Sequence, residues 1–305
     1  MICPVAAGAQ TAPIPPNPQI EISYVKPEKN PALTPIYQQM QSHKVLETLQ
    51  VFLAPLKLPP GAKLAIKFDE CAGAPTVPYV HGGPVTVCYD YVARIEQMVP
   101  KATVTLAQGA ITPDAAVIGP VAQAALHETA LAVFDLFKLP VWGRTEDAAD
   151  RLAAFIMVQF GPTVAWNTIV GTAWFLSGNA SATPADFSDI GGVVAQRYYT
   201  TVCIAYGAEV RGVTLVSTAS SAPGGAEGAG FGNFVGAGAA GNLPSSRAKS
   251  CPYEYDTIQQ AFDRLFVQQK RVDQALLQQV RLSFVCPPAG GQTGPFSLLA
   301  CARRQ

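Results

Sequence analysis

The feature that most constrains the fold is a pair of neighbouring helical segments that carry a histidine and two carboxylates at helical spacing. The first segment covers residues 113–137 and contains His127-Glu128-Thr129-Ala130-Leu131. The second begins at Thr145, a good N-cap residue, and carries Glu146 and Asp150 one turn apart. Residues four apart share one face of a helix, so two such helices packed side by side can direct these polar side chains into one space.

The chemistry that this spacing suggests is that of a zinc peptidase. In the helix signature His-Glu-x-x-His, both histidines bind one zinc ion and the glutamate takes a proton from zinc-bound water. Here His127 would be the first ligand, Glu128 the general base and Glu146 the third ligand, while Asp150 would fix the imidazole of His127. Leu131 stands where the second histidine belongs, and an isobutyl group has no lone pair. We therefore expect no bound cofactor and no zinc-dependent turnover.

Each part of this pattern also has a purely structural interpretation. A helical histidine beside a glutamate is common, and acids such as Glu146 and Asp150 suit the first turns of a helix because of its dipole. Two other histidines occur in the chain. His81 lies in a predicted loop and is the one candidate for a replacement ligand, whereas His43 is interpreted as a surface residue.

The cysteines favour an oxidising compartment. None of the seven forms a Cys-x-x-Cys pair, which disfavours a structural zinc site of the usual kind. Residues 1–9 resemble the end of a secretory signal with an Ala7-Gly8-Ala9 cleavage site, and cleavage there would leave an even number of cysteines. We expect a periplasmic or secreted protein, with reduced thiols in a cytosolic protein as the alternative. The preferred pairing, among several that six cysteines allow, is Cys71–Cys88, Cys203–Cys251 and Cys286–Cys301.

Composition excludes two classes of partner. Charged residues make up 14% of the chain and the formal net charge is zero, with no basic patch, which argues against nucleic acid. No apolar run reaches the roughly 20 residues that a membrane-spanning helix needs.

The remaining pattern predicts a mainly helical α+β fold in one domain over residues 36–305. A proline-rich leader, extended or partly disordered, precedes it at residues 10–35, and a flexible insert rich in glycine interrupts it at 217–243. Alternating segments at 63–68 and 85–89 predict an antiparallel β-hairpin beside the main helix. Further helices are predicted over residues 35–53, 91–99, 163–176, 192–206 and 253–281.

Over about residues 45–267 the chain resembles the bacterial family described as Putative metallopeptidase, a domain of unknown function. The most specific block runs from Leu139 to Asp150; the others are His127-Glu128, Gln196-Arg197-Tyr198-Tyr199, Cys203, Ala205-Tyr206-Gly207, Leu243-Pro244, Arg247-Ala248, Cys251, Glu254-Tyr255, Cys71 and Cys88-Tyr89-Asp90. The resemblance implies a zincin-like fold, zinc as the family's cofactor, and site roles for His127, Glu128, Glu146 and Asp150. Leu131 and the glycine-rich insert depart from the family pattern.

Three functions are compatible with the sequence. The first is a catalytically inactive domain of the cell envelope that binds a peptide or protein partner in the former substrate cleft, where an edge strand could accept an extended peptide. The second is an active zinc peptidase with an unusual third ligand, such as His81 or a carboxylate. The third is a structural subunit of an envelope assembly that uses its leader and insert for contacts.

Overall fold

The computed structural model describes residues 14–74, 77–101, 104–106, 109–178, 192–215 and 243–283. Four predictions lie wholly or partly outside these ranges. They are the signal remnant at 1–9, the first residues of the leader, the glycine-rich insert up to residue 242, and the Cys286–Cys301 pair.

A small parallel sheet forms one side of the protein. Its strands are β1 (Ile20–Tyr24), β2 (Leu64–Asp69) and β3 (Val85–Cys88), and β2 lies between the other two. In β2 the apolar side chains at alternate positions are buried while those between them are partly exposed. This period of two is what a strand requires when only one face of it packs on a core. A separate antiparallel pair is formed by β4 (Val104–Leu106) and β5 (Gly109–Ile111).

The predicted antiparallel hairpin is wrong, because β2 and β3 run parallel, with Ile66 opposite Val85. A parallel pair needs a crossover of about a dozen residues or more, and the segment 70–84 is long enough to return the chain to the start of the sheet. The third strand comes from the proline-rich leader, where Ile20 pairs in parallel with Leu64. Alternation within two segments reveals strands but not their relative direction.

Helices account for most of the described chain, in agreement with the predicted α+β class. In chain order they are α1 (Thr34–Ser42), α2 (Val45–Leu53), α3 (Tyr89–Met98), α4 (Pro113–Leu136), α5 (Thr145–Met157), α6 (Pro162–Gly178), α7 (Val194–Val210), α8 (Ser245–Ala248), α9 (Cys251–Phe262) and α10 (Gln274–Ser283).

Two segments predicted as single helices are each broken in two. Lys44 adopts a left-handed conformation (φ 52°) between α1 and α2, and the hydroxyl of Tyr24 accepts a hydrogen bond from the Leu46 N–H at the new helix start. After α9 a π-helical stretch at Asp263–Val267 ends the long helix, and Val272 then pairs with Leu56 in an isolated β-bridge. Tertiary partners supplied by β1 and by the segment after α2 therefore override helical periodicity.

Helix α4 runs through the core and packs against α3, α5, α6 and β3. Its approach to α6 is close because glycines face each other, so a Cβ added to Gly171 would lie 1.7 Å from the Ala115 carbonyl oxygen. Within the described ranges, α4 alone is long and apolar enough to cross a membrane, and 78% of its most apolar window is buried inside the protein.

Two of the predicted disulfides are confirmed. Cys71–Cys88 joins the carboxyl ends of the neighbouring parallel strands β2 and β3, with 5.6 Å between the Cα atoms. Cys203–Cys251 joins α7 to the first residue of α9, with 4.9 Å between the Cα atoms. Both pairs link elements that lie far apart in sequence, and disulfides of this kind persist in oxidising, extracellular-type environments.

Candidate functional site

Helices α4 and α5 place three of the predicted site residues in direct contact. The two ring nitrogens of His127 each meet a carboxylate: Nδ1 lies 2.8 Å from Asp150 Oδ1, and Nε2 lies 2.8 Å from Glu146 Oε2. Glu146 lies in the first turn of α5 and Asp150 one turn later, so the two carboxylates reach the imidazole from the same helix face. His127 and Asp150 are almost fully buried, at 4% and 3% exposed.

Asp150 accepts hydrogen bonds from side chains of two other helices, α4 and α7. Its Oδ1 accepts hydrogen bonds from Gln123 Nε2 at 2.9 Å, from the His127 ring, and from Arg197 Nη2 at 2.9 Å. Its Oδ2 accepts a further bond from Arg197 Nε at 2.9 Å. Burial alone would raise the pKa of this carboxyl, but hydrogen bonds and charges from His127 and Arg197 outweigh burial and lower it. Asp150 is therefore an anion held by two cationic groups.

His127 is best described as an imidazolium. Neutral imidazole carries one N–H and can donate only once, whereas here each ring nitrogen faces a carboxylate oxygen. Burial acts to lower the pKa of His127, yet the hydrogen bonds to Asp150 and Glu146 outweigh it and raise the pKa to about 9. The ring thus carries a positive charge at neutral pH and joins α4 to α5 through two charge-assisted hydrogen bonds.

Glu128, next to this cluster, is tied to the loop that precedes β3. Its Oε2 accepts a hydrogen bond from the backbone N–H of Tyr79 at 2.8 Å, and the Tyr79 hydroxyl donates to Asp135, two turns along α4. Burial raises the pKa of Glu128, against opposing contributions from His127 and the Tyr79 N–H. The carboxylate proposed as a general base is therefore partly buried and already engaged with a backbone amide.

Comparison with known proteins agrees with the resemblance drawn from these residues. A family model described as Putative metallopeptidase (DUF4344) matches residues 24–266, most of the chain. The chain belongs to this family. The matched range contains all the clustered residues described above, from Tyr79 to Arg197. No curated protein and no solved structure gave a match.

The family name implies a metal, but the site residues of this DUF4344 member do not fit one. Leu131, one turn after His127, is partly buried and offers no donor atom where a second imidazole would be needed. With Asp150 on the other ring nitrogen, His127 Nε2 and Glu146 remain as two possible ligands, one fewer than the three of a catalytic zinc site. In the part of the chain that the structure describes, no group of three or more His, Cys, Asp or Glu side chains is arranged to hold a metal ion.

The two other histidines lie away from this site. His81 is highly exposed and its Nδ1 contacts Asp135, which follows His127 by eight positions on α4. Eight residues of helix span roughly 12 Å, so a zinc ion with bonds of about 2 Å cannot bridge His127 and His81 in this arrangement. His43 lies at the C-terminal end of α1, partly exposed.

The sequence did not predict three residues of the site, and it predicted the wrong residue as the N-cap of α5. Gln123 is one turn before His127 on α4, so helical spacing could have identified it. Arg197 belongs to a block that carried the family resemblance, but its ion pair with Asp150 could not be inferred from local spacing. Tyr79 contributes a backbone N–H, for which residue type gives no signal. Thr145 is the first residue of α5 rather than its cap, and Arg144 at the cap position makes no side-chain capping hydrogen bond.

Proposed function

We propose that this DUF4344 member is a zinc-free, catalytically inactive metallopeptidase-like domain with a zincin-like arrangement of helices, which binds a peptide or protein. One observation carries the proposal: His127 is clamped by Glu146 and Asp150 while Leu131 occupies the position of the second ligand. Without a donor at position 131, His127 and Glu146 supply two of the three protein ligands that a catalytic zinc site needs. In this interpretation His127, Glu146 and Glu128 are vestiges of a catalytic site, and Asp150 retains its role of orienting the imidazole.

Loss of the metal removes the means of activating water. The glutamate of such a site works on water whose pKa has been lowered by coordination, and free water is far too weak an acid for Glu128 to deprotonate usefully. Glu128 also holds the Tyr79 N–H, which a substrate would have to displace. Both facts argue for binding without hydrolysis.

The position of the sheet supports a peptide as the bound molecule. Strand β3 forms an edge of the three-stranded sheet and packs directly against α4, the helix that carries His127 and Glu128. A strand at the edge of a sheet can offer backbone donors and acceptors to an extended peptide, and Glu128 already accepts a backbone N–H from Tyr79. A peptide that replaces the Tyr79 contact would use the same carboxylate.

The disulfides support a location outside the cytoplasm. Thioredoxin and glutathione keep cytosolic thiols reduced, so Cys71–Cys88 and Cys203–Cys251 fit a periplasmic or secreted protein. Such a location also gives access to envelope peptides and proteins, which are the partners that we propose.

A peptide library that reports both cleavage and binding tests the function. We expect no hydrolysis by the native protein with or without added zinc, and binding of a subset of extended peptides. Glu128→Ala should weaken that binding about tenfold, because it removes a charged acceptor for a backbone N–H. Asp147→Asn, a nearby acid that does not contact His127, is the matched control and should leave binding unchanged. Zinc-dependent cleavage, or binding that is equally tight in Glu128→Ala, would contradict the proposal.

A further inference from the structure

Residues 77–83 form a strap that lies against helix α4 at two places. The first place is Glu128, whose Oε2 accepts a hydrogen bond from the Tyr79 backbone N–H at 2.8 Å. Glu128 is 8% exposed in this arrangement. The carboxylate that we assign to peptide binding is therefore already occupied by a backbone N–H of the chain itself.

The second place is Asp135, two turns further along α4. Its Oδ2 accepts hydrogen bonds from the Tyr79 hydroxyl at 2.6 Å and from the Gly82 N–H at 3.1 Å. Its Oδ1 contacts Nδ1 of His81. The hydrogen bond from Tyr79 lowers the pKa of Asp135, so the carboxylate is ionised at neutral pH and its bonds to the strap are charge-assisted. One carboxylate thus fastens three residues of a short segment to the helix.

Apolar packing contributes little to holding the strap in place. Val80 is 67% exposed and the side chain of His81 is 89% exposed, whereas Tyr79 packs partly against the core. A segment held mainly by a few polar bonds opens at a lower free energy than the core does. The disulfide Cys71–Cys88 joins the chain on either side of the strap, so the strap can leave α4 while its two ends stay together.

We propose that residues 77–83 are an autoinhibitory strap, which closes the peptide site at Glu128 and opens when its bonds to Asp135 are released. The inference rests on the proposed function, because it takes Glu128 as the acceptor for a peptide N–H. In the closed form the Tyr79 N–H stands where that peptide N–H would stand. A peptide then binds only the open fraction of the protein, and its apparent affinity is reduced by that fraction.

Carboxyl labelling measures the opening without any peptide. Carbodiimide and glycine ethyl ester convert accessible carboxylates to amides, which mass spectrometry locates in the sequence. In Asp135→Ala we expect Glu128 to be labelled faster by about tenfold or more, because the charged acceptor of the strap's bonds is gone. Asp147→Ala, which removes an acid from the first turn of α5, is the matched control and should leave the rate unchanged. Asp150, at 3% exposed, should stay unlabelled in every variant, which shows that the core has not opened.

Peptide affinity measures the inhibition. In calorimetric titrations with peptides selected from the library, Asp135→Ala should bind more tightly than the native protein by about fivefold or more. Tyr79→Phe removes only the hydroxyl that donates to Asp135, and it should raise both labelling and affinity severalfold. It also keeps the test decisive if Asp135→Ala fails to fold. Tyr253→Phe, which alters a tyrosine that is 74% exposed on α9, is the matched control and should change neither quantity.

The two measurements separate failure of the strap from failure of the proposed function. Glu128 labelling that is unchanged in Asp135→Ala and Tyr79→Phe overturns the autoinhibitory strap. Faster labelling without a gain in peptide affinity overturns it as well. If no peptide binds the native protein or either variant, the proposed function is overturned, and faster labelling in that case still assigns the strap as the cover of Glu128.

Discussion

Arg197 on α7 and Asp150 on α5 form a bidentate ion pair in the interior, with both N···O distances at 2.9 Å. The pair neutralises one of the carboxylates that hold His127, and it links a third helix to the α4–α5 contact. Because Asp150 is 3% exposed, loss of Arg197, one of its two cationic partners, leaves a partly compensated anion that water cannot reach. The ion pair is thus part of the structure that keeps the site assembled.

Removing the cation should therefore destabilise the protein strongly. Arg197→Met deletes the guanidinium while keeping much of the side-chain volume, and breaking a buried pair on one side costs about 3 kcal/mol or more. Urea unfolding measures the difference. Arg211→Met, which disrupts the exposed pair with Asp256, should have little effect and serves as the control. If the two substitutions lower the unfolding free energy equally, the buried pair contributes no more stability than the exposed pair.

Stability should also depend on the charge of His127. Its pKa is raised from the ordinary 6.5 to about 9 in the folded protein, so the folded state binds the proton more tightly than the unfolded state. The resulting stabilisation is fully present below about pH 6.5 and is lost as the pH rises through 9. We expect the unfolding free energy of the native protein to exceed that of His127→Gln by a margin that shrinks over this window. A margin that is constant or grows with pH would contradict the imidazolium assignment.

Close packing of α4 on α6 predicts a severe effect at Gly171. A methyl group there would lie 1.7 Å from the Ala115 carbonyl oxygen, so the helices must separate to accept it. We expect Gly171→Ala to cost about 3 kcal/mol or more, at or beyond the upper end of ordinary overpacking. In Gly178→Ala, by contrast, the nearest atom to the new Cβ is Met98 Cε at 3.9 Å, and stability should change by less than about 0.5 kcal/mol. Thermal unfolding of both variants decides the point, and similar melting temperatures would refute the packing argument.

The disulfide that closes the longer loop of chain should contribute more stability than the one that closes the shorter loop. Cys203–Cys251 closes a loop with a sequence separation of 48, whereas the separation is 17 for Cys71–Cys88. Loop-closure entropy gives about 4 kcal/mol for the first and about 3 kcal/mol for the second. Denaturant unfolding of the two double-alanine variants measures the contributions. A larger loss for Cys71–Cys88 would mean that strain or residual structure, rather than chain entropy, dominates.

Residues within one or two helical turns of each other were the easiest to predict. The extent of α4 and the shared helix face of Glu146 and Asp150 follow from spacing, because helical geometry fixes which side chains share a face. Contacts that join distant segments were not predictable in this way. Arg197 reaches Asp150 from α7, and Ile20 pairs with Leu64 from the leader. Periodicity describes a segment's own faces, whereas strand direction and ion-pair partners depend on how the segments are assembled.

Zinc content is the most direct test of the central claim that Leu131 leaves the site unable to hold a metal. The native protein, His127→Ala and Leu131→His are each incubated with equimolar zinc, desalted and analysed by mass spectrometry of the metal. The account predicts that the native protein and His127→Ala retain almost no zinc, while Leu131→His, once shown to fold, retains a substantial fraction of one ion per chain. One zinc per native chain that disappears in His127→Ala would contradict it.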